Sequence, residues 1–396
     1  MNNIKDKYFG IFLIITIIYN SGSAFITINS ILGAIFIFIG IILFFLYRPM
    51  KINIFKVSYL NIYFMISIFI IFISMLVNLN FIYILTNLKY LALLLFSFYF
   101  IKIIDYKIFI NYYIKIMLFL VAVSLVPFVL INFFNLDFLS YMPIAVNTNG
   151  VIYHIGILFN YYDYNQSRNM SLFWEPSIFS SFIIMALIYE IIYNKKSSIL
   201  RIILFTLGLL STGSSGGFLL MPLVILLFVI KNKGILYSLF IQSTALLIVI
   251  YLYYNISELL MFLVNLNPMV FSKFTREESS SVSERSDSPI INIDLFINNP
   301  IFGNGLGKVD ELYSSFMIAQ TSTSTYFLAV FGIFGIFYTI SILYGAYRQK
   351  QLNIIARVLL FTILLVIVNK ESHANFVLTH IMIFYLLNND TKKYIL

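Results

Sequence analysis

Long apolar runs separated by short polar links recur along the whole chain. The runs fall at 8–20, 24–47, 58–78, 81–101, 112–133, 176–193, 199–211, 217–230, 235–255, 322–346, 354–369 and 374–388. Most approach the roughly 20 residues that a helix needs to cross about 30 Å of hydrocarbon. Only helices and closed barrels satisfy their backbone there, and these runs are too long and continuous for barrel strands. Residues 1–396 therefore read as a single integral membrane domain, an all-α polytopic membrane protein with about twelve transmembrane helices. The first run follows Met1-Asn-Asn-Ile-Lys-Asp-Lys7, which looks like the start of a signal peptide. No small-residue cleavage pattern follows it, so it reads as a retained span.

Composition agrees with the pattern. Hydrophobic residues make up 61% of the chain and charged residues 10%, and the mean hydropathy is +0.95. A soluble domain carries roughly 25% charged residues. The links alternate between Lys/Arg-rich and nearly uncharged, and about 18 of the 25 basic residues fall on one side if the N-terminus is cytoplasmic. The positive-inside rule then predicts cytoplasmic N and C termini. It also accounts for the net charge of +9 and the pI near 9.3, so no nucleic-acid partner is implied. The absence of cysteine excludes disulfides, thiolate metal sites and cysteine nucleophiles. Three histidines, His154, His373 and His380, form no His-x-x-x-His pair, so no metal is expected.

Two segments break the rule of short links, and the charge pattern places both outside. The first large external loop spans 134–175 and holds Asp137, His154, Asp163, Arg168 and Glu175, with turn chemistry at Asn147-Thr-Asn-Gly150 and a short apolar piece at Val151–Phe159. The second spans 256–321 and holds more than a quarter of all the charged residues, among them Arg276, Arg285, Asp310 and Glu311. Within it Ser279–Ser288 reads as a mobile serine-rich stretch, and Pro289–Asn298 as an amphipathic surface helix ending before Asn299-Pro300. Long loops on a rigid scaffold usually carry function.

Three motifs stand at the ends of runs. Phe173-Trp174-Glu175-Pro176-Ser177-Ile178-Phe179 closes the first large loop. Trp suits the interfacial belt, Pro a first helical turn, and a carboxylate complements the helix dipole; the functional alternative is a carboxylate fixed as a general base or substrate anchor. Leu210-Ser-Thr-Gly-Ser-Ser-Gly-Gly-Phe218 lies at a short outer turn, where small residues also serve close helix packing. Asn298-Asn-Pro-Ile-Phe-Gly-Asn-Gly-Leu-Gly307 precedes the run that contains Tyr326–Gly335. Gly303, Gly305 and Gly307 follow no buried strand, so a dinucleotide fingerprint is not indicated.

In order and spacing this set resembles the bacterial oligosaccharide repeat-unit polymerases, the Wzy-type proteins of O-antigen and capsule assembly in the O-antigen polymerase/ligase superfamily. Glu-Pro-Ser-Ile-Phe is similar to their Glu-Pro-(small)-Phe-Phe signature, and the other two motifs to their Thr-x-Ser and Pro-(Leu/Ile)-Phe-Gly-x-Gly-x-Gly segments. The resemblance implies a glycosyltransferase-type enzyme of the bacterial cytoplasmic membrane that uses no cofactor. Its partners would be undecaprenyl-diphosphate-linked oligosaccharides, membrane lipid and a chain-length regulator protein. On that reading Glu175 is the base or acceptor anchor, while Arg276, Arg285 and Lys89 bind the diphosphate or the sugar. Arg168, Lys89, Gly303, Gly305, Gly307 and His373 would line the substrate path. Lys89 reads as a mid-span cation, costly unless paired or near water. His380 reads as a bundle histidine satisfied by one or two hydrogen bonds.

Two alternatives stay open. An O-antigen ligase would carry a His-Asn pair where this chain has Thr321-Ser-Thr-Ser-Thr325. A polysaccharide or lipid-oligosaccharide flippase would place polar residues deep in several spans, whereas these charges concentrate in the loops.

Overall fold

The computed structural model describes residues 4–24, 58–78, 80, 83–136, 139–147, 150–163, 167–194, 198–233, 280–316 and 319–388. The runs at 24–47 and 235–255 lie almost wholly outside the described residues. Elsewhere each run has become a helix: α1 (Ile4–Asn20), α2 (Tyr59–Val77), α3 (Ile84–Ile103), α4 (Tyr106–Phe134), α5 (Pro176–Tyr193), α6 (Ile199–Ser211), α7 (Ser215–Lys233), α10 (Thr323–Phe331), α11 (Ile336–Tyr347), α12 (Ile354–Lys370) and α13 (Val377–Leu387). The second loop adds α8 (Ser280–Asn298) and α9 (Leu306–Phe316).

Polar side chains set the helix starts. Ser58, Asp105 and Asn353 each accept a backbone N–H of the first turn, from Asn61, Lys107 and Ala356. Asn135, in the left-handed region at φ 51°, closes α4.

By length and composition five helical segments suffice to cross a membrane: α2, α3, α4, α5 and the stretch Thr323–Tyr347 formed by α10 and α11. Outward faces of the bundle carry Phe69, Phe72 and Leu85, each more than half exposed. Such a surface is at home in lipid and would associate in water. The chain is thus a helical, membrane-embedded type of protein. Helix α5 is predominantly apolar and buried along almost its whole length, which makes it the central post of the bundle.

The mostly helical fold also holds a small sheet. Inside the first loop β1 (Ile144–Val146), β2 (Ile152–Ile155) and β3 (Asn160–Tyr162) form an antiparallel sheet in the order β1-β2-β3, with Ala145 opposite Tyr153 and His154 opposite Tyr161. The apolar Val151–Phe159 piece is therefore largely a sheet strand and its turn. A correction falls on the serine-rich stretch: α8 is already helical at Ser280, with Pro289 inside it. Tertiary docking explains this, because Ser288 and Asn292 are fully buried and both meet the Tyr313 hydroxyl of α9.

Consecutive links meet at alternate ends of the bundle. At one end Tyr385 donates to Ile104 O, Tyr193 to Gln349, and Arg348 to Leu387 O. Glu190 of α5, fully buried there, accepts from Asn194, the Ser198 N–H and Arg201. At the other end the first loop, the α6–α7 turn and the α12–α13 turn come together.

Candidate functional site

The second of these ends gathers two of the three motifs. Chain entry into α5 is held from both sides: Trp174 N–H donates to Gly22 O (3.0 Å), and Ser23 bridges to Phe173 as an isolated strand pair. Tyr162 of the sheet also donates to Trp174 O at 2.8 Å. Glu175 is thereby the N-cap residue of α5, with extended backbone and Pro176 behind it, and its side chain makes no capping bond to its own helix. The Glu175 side chain is half-buried.

One turn further on, Ser177 and Ser180 face the α6–α7 turn. Ser180 Oγ lies 3.2 Å from Ser214 Oγ, and Ser214 Oγ lies 3.5 Å from Ser177 Oγ. Into this serine cluster reaches Lys370, the last residue of α12, whose Nζ donates to Ser180 Oγ. Lys370 is buried, and Gly216 clears its path: a Cβ there would stand 2.9 Å from Lys370 Cδ. Arg168 lies along the same turn, its Nε donating to Thr212 O (3.1 Å) and its side chain resting on Gly213. Asn169 ties the loop down through Ser124 of α4 and Ser211 of α6, both at 3.0 Å. Arg168, Lys370 and the amino end of α7 thus border one corner, with Glu175 two residues before Ser177. Such a corner suits an anionic group, which the guanidinium matches in geometry and the helix end favours electrostatically.

The third motif does different work. Gly303 N–H donates to Asn299 O, Asn304 N–H to Ala329 O, Gly305 N–H to Val330 O, and Ile333 N–H to Pro300 O. The glycine segment is therefore laced to the break between α10 and α11. A Cβ on Gly303, at φ +69°, would lie 2.3 Å from Val330 O, and one on Gly307 would lie 2.3 Å from the Tyr83 ring. Gly303 and Gly307 are positions of close packing.

Other expected residues are redistributed. Lys89 is exposed in the second turn of α3, not mid-span, because that helix begins at Ile84. Its ammonium acts on Asp310 of α9, which accepts a 2.6 Å hydrogen bond from Tyr326. Burial raises the Asp310 carboxyl above the usual range, while the Tyr326 bond and Lys89 oppose the shift. Arg276 lies outside the described residues, and Arg285 belongs to α8, whose described side chains begin at Asp287.

His373 was expected on the substrate path and is instead fully buried against Phe182 and Phe376, with Nδ1 2.9 Å from Thr379 Oγ1 and Nε2 without a hydrogen-bond partner among the described residues. His380 Nε2 meets Ala374 O at 2.8 Å, as a bundle histidine should. The Thr321–Thr325 stretch docks on the His373 turn, with His373 N–H donating to Thr323 Oγ1 and Ser322 donating to Asn369.

Burial, reinforced by Lys370 and His380, lowers the His373 pKa from 6.5 to about 3. Between those values the unfolded chain binds a proton that the folded one refuses, so stability falls as pH drops below 6.5 and levels off near 3. The slope from this residue is about 1.4 kcal/mol per pH unit. Thermal melting of the purified protein from pH 7.5 to 4.5 should show it, and His373→Gln should flatten the curve. Parallel curves for the two proteins would refute the assignment.

The serine cluster and the buried Lys370 form no motif in the sequence. Ser177, Ser180 and Ser181, three hydroxyls on one side of an otherwise apolar helix, were the available signal. Compared with known proteins, the chain matches no family model, no curated protein and no solved structure.

Proposed function

We propose that the chain is an oligosaccharide repeat-unit polymerase of the Wzy type, joining lipid-linked oligosaccharides at the outer face of a bacterial cytoplasmic membrane. The observation that carries this reading is the meeting of Glu175-Pro176-Ser177 with Thr212–Gly217, two motif segments far apart in the chain that share the Ser180–Ser214–Ser177 cluster. Lys102, Arg201, Lys231, Arg348 and Arg357 cluster toward the opposite end, in keeping with a cytoplasmic side there and with about twelve spans, cytoplasmic termini and two external loops.

In the proposed reaction an acceptor hydroxyl attacks the anomeric carbon of the donor glycan. The new carbon–oxygen bond forms as the bond to the diphosphate breaks, and the electron pair leaves with undecaprenyl diphosphate. Glu175 takes the hydroxyl proton. Arg168 binds the departing diphosphate, Lys370 adds positive potential from within the wall, and Arg276 and Arg285 are further anchors from the second loop. The energy resides in the donor bond, so no cofactor is required.

The test is reconstitution. Purified protein given a lipid-diphosphate-linked oligosaccharide should yield a ladder of lengthened chains. Transfer to a lipid A core acceptor without lengthening would favour the ligase, and transbilayer movement without lengthening the flippase; either would end the polymerase reading.

A further inference from the structure

The segment that carries Arg168 also holds a strained residue. Ser171 stands in the left-handed region, at φ 48°, and is fully buried. Among the described residues the other non-glycine in that region is Asn135, a residue type that tolerates it; elsewhere the chain uses glycine there, as at Gly213 and Gly303. A serine persists in that conformation only when its surroundings over-determine it, and strain of this kind gathers where backbone geometry serves function.

Ser171 is held at each of its polar atoms. Its N–H donates to Asn169 Oδ1 at 3.0 Å, its Oγ donates to Leu158 O at 3.1 Å, and its carbonyl accepts the Asn160 N–H at 2.7 Å. The first of these bonds is an Asx turn. Asn169, also fully buried, is fixed from the other side: its N–H donates to Ser211 O and its Nδ2 to both Ser124 Oγ and Ser211 Oγ, each at 3.0 Å. Both serines direct their own protons back into their helices, Ser124 to Val121 O and Ser211 to Gly208 O, so toward the amide they can only accept. The amide therefore has one orientation, Nδ2 toward the serines and Oδ1 toward Ser171.

Arg168 is what this turn presents. Its guanidinium lies along the α6–α7 turn, with Nε on Thr212 O, and its Cγ and Nε would each be 3.5 Å from a Cβ on Gly213. The Asn169 N–H meets Ser211 O and the Arg168 Nε meets the next carbonyl, Thr212 O, so main chain and guanidinium are registered against the same stretch of backbone. A long side chain is aimed only as well as the backbone beneath it is fixed, and a binding group needs supports whose own positions are locked.

We infer that Asn169 and Ser171 are positioning residues for Arg168. The Asx turn, braced by Ser124 and Ser211 on one side and by Leu158 and Asn160 on the other, sets the guanidinium in place before a diphosphate binds. The inference rests on the role given to Arg168 in the proposed reaction. It also gives the three-stranded sheet a task, because the link from β2 to β3 supplies the Leu158 carbonyl and β3 the Asn160 N–H that grip Ser171.

The test is a binding cycle. Inorganic diphosphate is titrated into full-length protein in neutral detergent and followed by the fluorescence of Trp174, the single tryptophan of the chain. Ser171→Gly relieves the left-handed strain and loosens the turn, so it should melt within a few degrees of the wild type yet bind diphosphate about 10-fold more weakly. Asn169→Ala should weaken binding by about 10-fold or more. In an Arg168→Ala background Asn169→Ala should bring no further loss, since a residue that acts through Arg168 then has nothing to position. Equal losses in the two backgrounds, or wild-type affinity in Ser171→Gly, would overturn the inference. If Asn169→Ala does not fold, the same cycle run with Ser171→Gly decides it. A wild-type protein that binds no diphosphate would overturn the inference together with the anion-binding role of Arg168. A non-additive cycle in a protein that never lengthens lipid-linked chains would end the polymerase reading and leave the positioning of Arg168 standing.

Discussion

Glu175→Gln should reduce chain lengthening by about 10²–10⁴-fold, the range that positioned general bases supply. The substitution keeps the shape of the side chain and removes its charge. Helix α5 should survive it, because Glu175 makes no side-chain capping bond and the backbone on either side is held by the Trp174–Gly22 and Phe179–Glu175 hydrogen bonds. Protein yield and melting temperature should therefore match the wild type while the product ladder collapses to its first rung. A ladder of ordinary length from Glu175→Gln would remove Glu175 from the mechanism. A ladder lost together with the fold would mean that the carboxylate holds the loop together.

Gly303→Ala should be the most damaging small substitution in the second loop. It combines a strained left-handed backbone at φ +69° with a methyl group 2.3 Å from Val330 O, and the backbone atoms it meets are fixed by the α10–α11 break. Strain and overpacking together cost roughly 2–6 kcal/mol, against a typical total stability of about 5–15 kcal/mol. Gly150 is the control. Its φ is +78°, yet a Cβ there meets nothing within 4 Å, so Gly150→Ala should cost about 1–2 kcal/mol from the backbone alone. If the two variants melt alike in detergent, the close approach at Gly303 has been misjudged.

The apolar runs made the helices legible. The run at 58–78 became Tyr59–Val77 and the run at 176–193 became Pro176–Tyr193, because hydrocarbon length and turn chemistry act locally. The sheet was not legible. Strands of three or four residues with Ile144 and Val146 turned outward leave too short an alternation to read. Lys89 was misplaced by a helix boundary of a few residues, which is enough to move a cation from mid-span to an exposed second turn. At the site, Glu175 and the Thr212–Gly217 turn were legible as motifs, and their meeting was not. The Lys370–Ser180 contact joins residues 190 positions apart and exists only once α5, α7 and α12 have packed. The same Gly-x-Gly-x-Gly pattern serves a ligand's approach or another backbone's, and at Gly303 the neighbouring backbone is that of Val330 and Gly332.

The lacing of Pro300–Gly305 to Ala329–Ile333 has a mechanical consequence. A flap that opens over a binding site must be joined to its frame at hinges and be free between them. This segment is fastened to the middle of a membrane-length helical stretch by backbone hydrogen bonds that neither partner can give up without stranding amides away from water. Pulling on it would pull the break between α10 and α11 with it, so the two move as one rigid piece. The part of the second loop from Pro300 to Gly305 is consequently masonry, its contour set when the helices packed.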